Sequence, residues 1–225
     1  MAYLPFISDE DFLKHVASVL DVGIKKNLEA DATFHRNVID PFGPIFESAV
    51  KEISLNDWVK QEKQRQGQKT LQNAIGSFHQ NILGSVPGWN NLDTGEQYDL
   101  VNDQKTIIAE IKNKYNTVKG SDEIGYYKGL DNLVNNKNGQ YNGATAYFVR
   151  VIPKNPTPFD VPFTPSDNEK GKRAPVDENI RDIDGRSFYA LVTGVDDALD
   201  QLHEQIPHAI LALEKNGHTF SEQDF

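Results

Sequence analysis

The stretch from Tyr98 to Gly120, YDLVNDQKTIIAEIKNKYNTVKG, constrains the fold more than any other part of the chain. Its apolar run Thr106 to Ile111 is rich in β-branched residues and follows the turn-forming Asn102, Asp103 and Gln104, a pattern that predicts a strand entered through a hairpin. Side chains of a strand alternate between two faces. Ile107, Ala109 and Ile111 therefore point one way, and Ile108, Glu110, Lys112 and Lys114 point the other. Asp99 closes the preceding run, with ten residues between it and Glu110. A tight hairpin returns the chain so that the two carboxylates approach each other.

Paired carboxylates repel unless something positive lies between them. Oxygen-only ligands suit a hard cation such as Mg²⁺, which keeps several waters and accepts phosphate oxygens at its open positions. A metal so held polarises a phosphodiester and lowers the pKa of a bound water. Lys112, two residues from a ligand, is placed to orient or deprotonate the attacking water and to meet charge developing on phosphate. The constellation suits phosphodiester hydrolysis. An acid-x-Lys triplet alone says little, and Asp103-Gln104-Lys105 is a second one, in the predicted turn. What distinguishes Glu110-Ile111-Lys112 is the apolar strand, the upstream Asp and the Asn-Lys-Tyr-Asn-Thr that follows. The same residues also describe an edge strand with a solvated charged face.

Asp99, Glu110 and Lys112 resemble the PD-(D/E)xK nuclease signature. The strings EIKNKYNT and AIGSFHQNILGSVPGW (Ala74 to Trp89) are similar to a narrower group, the SinI-like type II restriction endonucleases, which cut palindromes of the GGWCC or GGNCC kind. Gln97-Tyr98 stands where the superfamily name would put Pro. The resemblance implies an α/β, restriction-endonuclease-like core: a central mixed β-sheet flanked by helices, with an N-terminal helical portion. It implies Mg²⁺ bound by Asp99, Glu110 and the backbone carbonyl of Ile111, with Lys112 handling the nucleophilic water. By position, Asn113, Lys114, Asn116, Thr117 and Lys119 are expected to meet double-stranded DNA nearby. A palindromic target mirrors protein two-fold symmetry, so a homodimer is expected. A repair or junction-resolving nuclease of the same superfamily, and a non-catalytic DNA-binding module keeping the fold, are the alternatives.

Composition fits one domain spanning 1–225, with a helical scaffold over 1–70 and a catalytic core over 71–225. There is no cysteine, hence no disulfide or thiolate site, and the six histidines show no zinc-ligand spacing. The N-terminus MAYLPFISDEDF lacks the basic-then-apolar order of a leader, and no run is long enough to span a bilayer, so a cytoplasmic location is expected. Net charge is −10, unusual for a nucleic-acid partner. Its distribution is uneven: Tyr98 to Lys154 carries eight basic and six acidic residues. With Asp99 and Glu110 neutralised by metal, that segment becomes a basic strip in an acidic chain.

Along the chain, Ser8 with Asp9, Glu10 and Asp11 predicts a helix start, running to about Asn27. A helix follows from about Pro44 to Lys51. Leu55 to about Leu83 reads as one long helical region, interrupted near Gly67, with Leu71, Ile75, Phe78 and Ile82 on one face. Near its end His79, more than Gln80, is placed to send a polar side chain toward the metal; a partly buried core histidine is the plainer reading. Ser85 to Asn91 reads as a turn, with Trp89 in the core. Val118 to Asn136 is predicted helical with Ser121 as cap, and Ala144 to Ile152 is predicted as a buried strand, completing a βαβ unit. The proline-rich segment 153–186 reads as a long loop carrying base-contact candidates Lys170, Lys172, Arg173, Arg181 and Arg186. Ser187 to Thr193 is predicted as a strand, and Val195 to Lys215 as a helix kinked or divided at Pro207.

Overall fold

The computed structural model describes residues 2–92 and 98–213. Four α-helices and one 3-10 turn open the chain. The first, α1 (Asp9–Leu28), starts as its sequence demands: Ser8 Oγ accepts from the Asp11 N–H at 3.1 Å, and three acids occupy the first turn. A short α2 (Ala30–Thr33) and a 3-10 turn (Phe34–Arg36) lead to α3 (Gly43–Lys51) and then to α4 (Leu55–Gly84). At 30 residues α4 is about 45 Å long, and it runs through Gly67 without a break. Packing against α1 explains this. Gly67 abuts Asn27 of α1, with room for contact at 3.5 Å, and Glu62, Arg65 and Gln66 tie the preceding turn together with side-chain hydrogen bonds of 2.6 to 3.0 Å.

The sheet then forms from β1 (Trp89–Asn91), β2 (Leu100–Asn102), β3 (Ile107–Lys114), β4 (Thr145–Ile152), β5 (Asp160–Pro162) and a later strand, β8 (Ile180–Asp184). The strands lie in the order β1-β2-β3-β4-β8-β5; β1, β2 and β3 are antiparallel, β3, β4 and β8 parallel, and β5 antiparallel on the far edge. Between β3 and β4 runs α5 (Glu123–Asn135), the βαβ crossover the sequence predicts. A separate two-stranded ribbon, β6 (Ser166–Asp167) with β7 (Lys172–Arg173), lies beside α5. The chain continues through α6 (Gly185–Thr193) and α7 (Ala198–Leu213).

Alternation along β3 splits the interior in two. Ala109 and Ile111 join Val149, Ile183, Phe12, Ile82 and Phe188 under α1, α4, α6 and α7. Ile108 joins Ala146, Phe148, Tyr127, Leu130 and Phe163 under α5. The hairpin is closed by Asn102, whose Oδ1 accepts from both the Thr106 and Ile107 N–H groups at 2.9 Å, while Lys105 takes the left-handed conformation at φ 57°.

Several expectations are corrected. Residues 187–193 form the helix α6, and the strand lies just before it in β8. A five-residue apolar run, Phe188 to Val192, does not separate the two periods, and burial of Phe188, Tyr189 and Val192 follows the helical one. Asp184 starts this helix by accepting from the Ser187 N–H at 3.1 Å. The segment 153–186 is not one long loop but carries the four short strands β5 to β8, and Phe163 stacks on Phe148 with centroids 4.6 Å apart and pins the chain to the sheet. Helix α5 begins at Glu123 rather than Val118; Ser121 Oγ donates to Asp122 and caps nothing. Ser85 to Asn91 is a turn only in part, since its last three residues are β1, and Trp89 packs edge-on against Phe188 at the core margin. Pro207 does not divide α7, whose Leu202 and Ala209 stay buried on either side; the predicted end at Lys215 lies outside the described residues.

Candidate active site

The register Leu100↔Ala109 and Val101↔Ile108 brings Asp99 to the end of the β2–β3 ladder, and its N–H donates to the Ala109 carbonyl at 2.9 Å. Beyond that point β3 continues toward Lys114 paired only with β4, leaving its β2 side as an open edge. Asp99 Oδ2 reaches across it and accepts from the Ile111 N–H at 2.7 Å. The N–H and C=O of one strand residue project to the same edge. The Ile111 carbonyl therefore opens toward Asp99.

Glu110 and Lys112 share the face of β3 that meets α5. Glu110 is buried, and its Oε1 lies 2.5 Å from Lys112 Nζ. The same ammonium sits 4.7 Å from the centroid of Tyr126, in the first turns of α5. Both acids are held above the ordinary carboxylate range. For Asp99 the cause is burial, opposed by the Ile111 N–H, by Lys112 and by a hydrogen bond from the Gln80 side chain. For Glu110 it is burial and then the charge of Asp99, opposed by Lys112. Burial pulls Lys112 down, but the Glu110 carboxylate outweighs it and the ammonium stays above its usual value. One cation thus serves two repelling acids, an arrangement with room for further positive charge.

The long helix does send a polar side chain to this site, and it is Gln80. His79 turns into the opposite core, where its Nδ1 meets the Tyr189 hydroxyl at 2.8 Å and burial holds its pKa down at about 4. A helix advances 100° per residue, so neighbours on α4 face different surroundings. His79 lies on the edge of the Phe78 and Ile82 stripe and follows it inward.

The remaining candidates divide by position. Lys114, Asn116, Thr117 and Lys119 are exposed in the strand end and turn just past Lys112, where Thr117 Oγ1 accepts from the Lys114 N–H at 3.2 Å. Lys172 and Arg173 are exposed on the ribbon beside α5, the side of the sheet that carries Glu110. Asn113 points away from that face: it packs under α4 near Gly76, and its Oδ1 is buried with no hydrogen-bond partner. Arg181 pairs with Asp160 at 2.5 Å and Glu178 at 3.0 Å, stapling β5 to β8, and Arg186 pairs with Asp200 of α7 at 2.7 Å.

Two groups at the site are not evident from motif spacing. One is Tyr126, whose neighbour Tyr127 carries the expected core position. The other is Arg150, opposite Lys112 in the β3–β4 register. Its guanidinium donates to Asp182 at 2.9 Å and to Glu123 at 2.8 Å and lies over the Phe148 ring. Arg150 thereby anchors the first turn of α5, which carries Tyr126, and is not free to extend the basic strip.

A mixed sheet of this order, with two acids and a lysine at the open end of its central strand, defines an α/β protein with a restriction-endonuclease-like fold. The chain belongs to the Eco47II restriction endonuclease family, whose sequence model matches residues 4–214. It is 50% identical over 210 residues to the type II restriction enzyme Eco47II of Escherichia coli, covering 93% of this chain and 87% of that one. It is 34% identical over 223 residues to the type II restriction enzyme Sau96I of Staphylococcus aureus, covering 92% and 80%. The chain is accordingly a site-specific endonuclease of the type II restriction class. Among the described residues no helix is long and apolar enough to cross a membrane.

Proposed function

We propose that this endonuclease is Mg²⁺-dependent, works in the cytoplasm as a homodimer, and hydrolyses double-stranded DNA at a short palindrome. The observation that carries the reading is the convergence of Asp99, Glu110 and Lys112 at one end of β3, two acids around a single ammonium. Among the described residues no group of three or more acidic, histidine or cysteine side chains gathers to hold a metal, so in this reading Asp99 and Glu110 are joined by the Ile111 carbonyl. Such hard oxygen donors fit Mg²⁺, which keeps waters and takes phosphate oxygens alongside them. When bound, the ion supplies a water of lowered pKa and polarises the scissile phosphate.

The chain's own groups do the rest. Glu110 and Asp99 give up their mutual repulsion to the cation. Lys112, released from sole charge of Glu110, orients the attacking water and meets the charge that grows on the phosphate as the water oxygen bonds to phosphorus and a P–O ester bond breaks. Tyr126 confines the ammonium. Gln80 and the Ile111 N–H fix the rotamer of Asp99, a supporting role of the kind that tunes metal affinity. Lys114, Asn116, Thr117 and Lys119 lie close enough along the chain to hold the DNA backbone or read base edges beside the cut, with Lys172 and Arg173 approaching from the ribbon. Arg181 and Arg186 are held in ion pairs with carboxylates and Asn113 faces α4, so this reading assigns none of the three a DNA contact.

A GGWCC or GGNCC target rests on the sequence resemblance. Digestion of a sequenced plasmid in Mg²⁺ with mapping of the ends tests it. Discrete fragments ending at such sites are expected; intact plasmid, or ends at unrelated sequences, would overturn the reading.

A further inference from the structure

Helix α3 is amphipathic but mounted with its polar side inward. Phe42, Ile45, Phe46, Ala49 and Val50 recur at i, i+3, i+4, i+7 and i+8, the spacing of a single apolar stripe. Such a stripe ordinarily faces a core. Here the opposite side is fastened to α4: Glu47 Oε2 accepts from Trp58 Nε1 at 3.2 Å, and Lys51 Nζ donates to Gln61 Oε1 at 3.1 Å. The stripe is left outward, with Phe42 66%, Ile45 63%, Phe46 68% and Val50 83% exposed. Val38 and Leu55, on the connections to either side, are exposed as well.

Isolated apolar side chains on a surface need no explanation, but a stripe at helical period does. Together these six side chains expose roughly 700 Å², above the ~300–600 Å² of a typical monomer's largest patch and close to the ~800 Å² that one partner contributes to a standard interface. Two such helices packed about a two-fold axis set the stripe of one chain against the same stripe of the other, so a single apolar face serves both.

We infer that the outward face of α3 is the two-fold interface between two copies of this chain. The inference rests on the reading of the enzyme as a homodimer and assigns that homodimer its surface.

Sedimentation equilibrium of the full chain, without DNA or metal, tests it. The parent is expected to sediment as two 25.3 kDa chains. Phe46→Glu raises the dissociation constant on the order of 100-fold or more, as loss of an aromatic anchor counted once on each side of a two-fold does. Its far-UV circular dichroism stays that of the parent, because Phe46 is mostly exposed within one chain. Phe46→Leu retains the dimer. A parent that is monomeric at all concentrations would sink the homodimer reading and this inference with it. A parent dimer that survives both Phe46→Glu and Ile45→Glu would overturn the assignment of the surface while leaving the homodimer standing.

Discussion

Asp99 Oδ2 accepts the Ile111 N–H at 2.7 Å, twelve residues along the chain. The bond turns the carboxylate inward to the open edge of β3, where it meets Glu110 and raises its pKa. The protein keeps two acids in a buried place where both are unfavourable as anions. Stability is given up there for a site that, in the proposed reading, a cation completes.

The first prediction follows from that conflict. A carboxyl whose folded pKa is raised stabilises the fold fully below its unfolded pKa and loses that contribution as pH rises through the folded value. At neutral pH the ionised Asp99 is therefore a liability in the metal-free protein. Asp99→Asn keeps an acceptor for the Ile111 N–H and removes the charge. In EDTA at pH 7.5 its melting temperature should exceed the parent's while cleavage in Mg²⁺ is lost; a lower melting temperature would contradict the account.

Gln80 acts through Asp99. Gln80→Ala should leave the fold and the maximal rate nearly intact but raise the Mg²⁺ concentration for half-maximal cleavage on the order of 10-fold, as loss of a partner behind a metal ligand does. A Mg²⁺ titration of the cleavage rate checks this, and an unchanged midpoint would leave Gln80 without a role at the site.

How much of this was legible beforehand depends on how local the cause is. The hairpin, the face shared by Glu110 and Lys112, and the βαβ crossover follow from alternation and turn chemistry within about twenty residues, and all three stand. The choice between His79 and Gln80 was not local, because it depends on which side of α4 the sheet covers and on Tyr189, which lies 110 residues away. The helix over residues 187–193 is not legible for a related reason. Five apolar residues between Ser187 and Thr193 satisfy either period, and the close approach of Gly185 to β4 that decides for a helix is a tertiary fact. Arg150 counted as one more positive charge in the sequence; its two carboxylate partners come from α5 and β8.

His79 gives a pH signature. Burial lowers its pKa from 6.5 to about 4, so the fold favours the neutral ring. That contribution is whole above pH 6.5 and is lost as pH falls toward about 4, since the unfolded chain takes up a proton the native one refuses. The loss approaches about 1.4 kcal/mol per pH unit in that window. Urea unfolding from pH 7 to pH 4.5 should show His79→Gln less stable than the parent at pH 7 and converging on it with acidification. Parallel profiles would contradict the assignment.

Gly185 marks where α6 is pressed onto β4. A Cβ there would lie 2.3 Å from the Val151 carbonyl oxygen, a distance no side chain tolerates without moving backbone. Gly185→Ala should cost about 1–3 kcal/mol or more in chemical unfolding. A variant as stable as the parent would mean that α6 stands off the sheet.

The central claim is that Asp99, Glu110 and Lys112 together form the hydrolytic site, and Lys112 tests it most directly because it need not hold metal. The decisive measurement is the cleavage rate of plasmid DNA in Mg²⁺ by parent and Lys112→Ala, with circular dichroism confirming that both are folded. The account predicts a fall of about 10³-fold or more, comparable to loss of a principal electrostatic stabiliser with its proton-transfer role. Cleavage by the folded variant at the parental rate would contradict it.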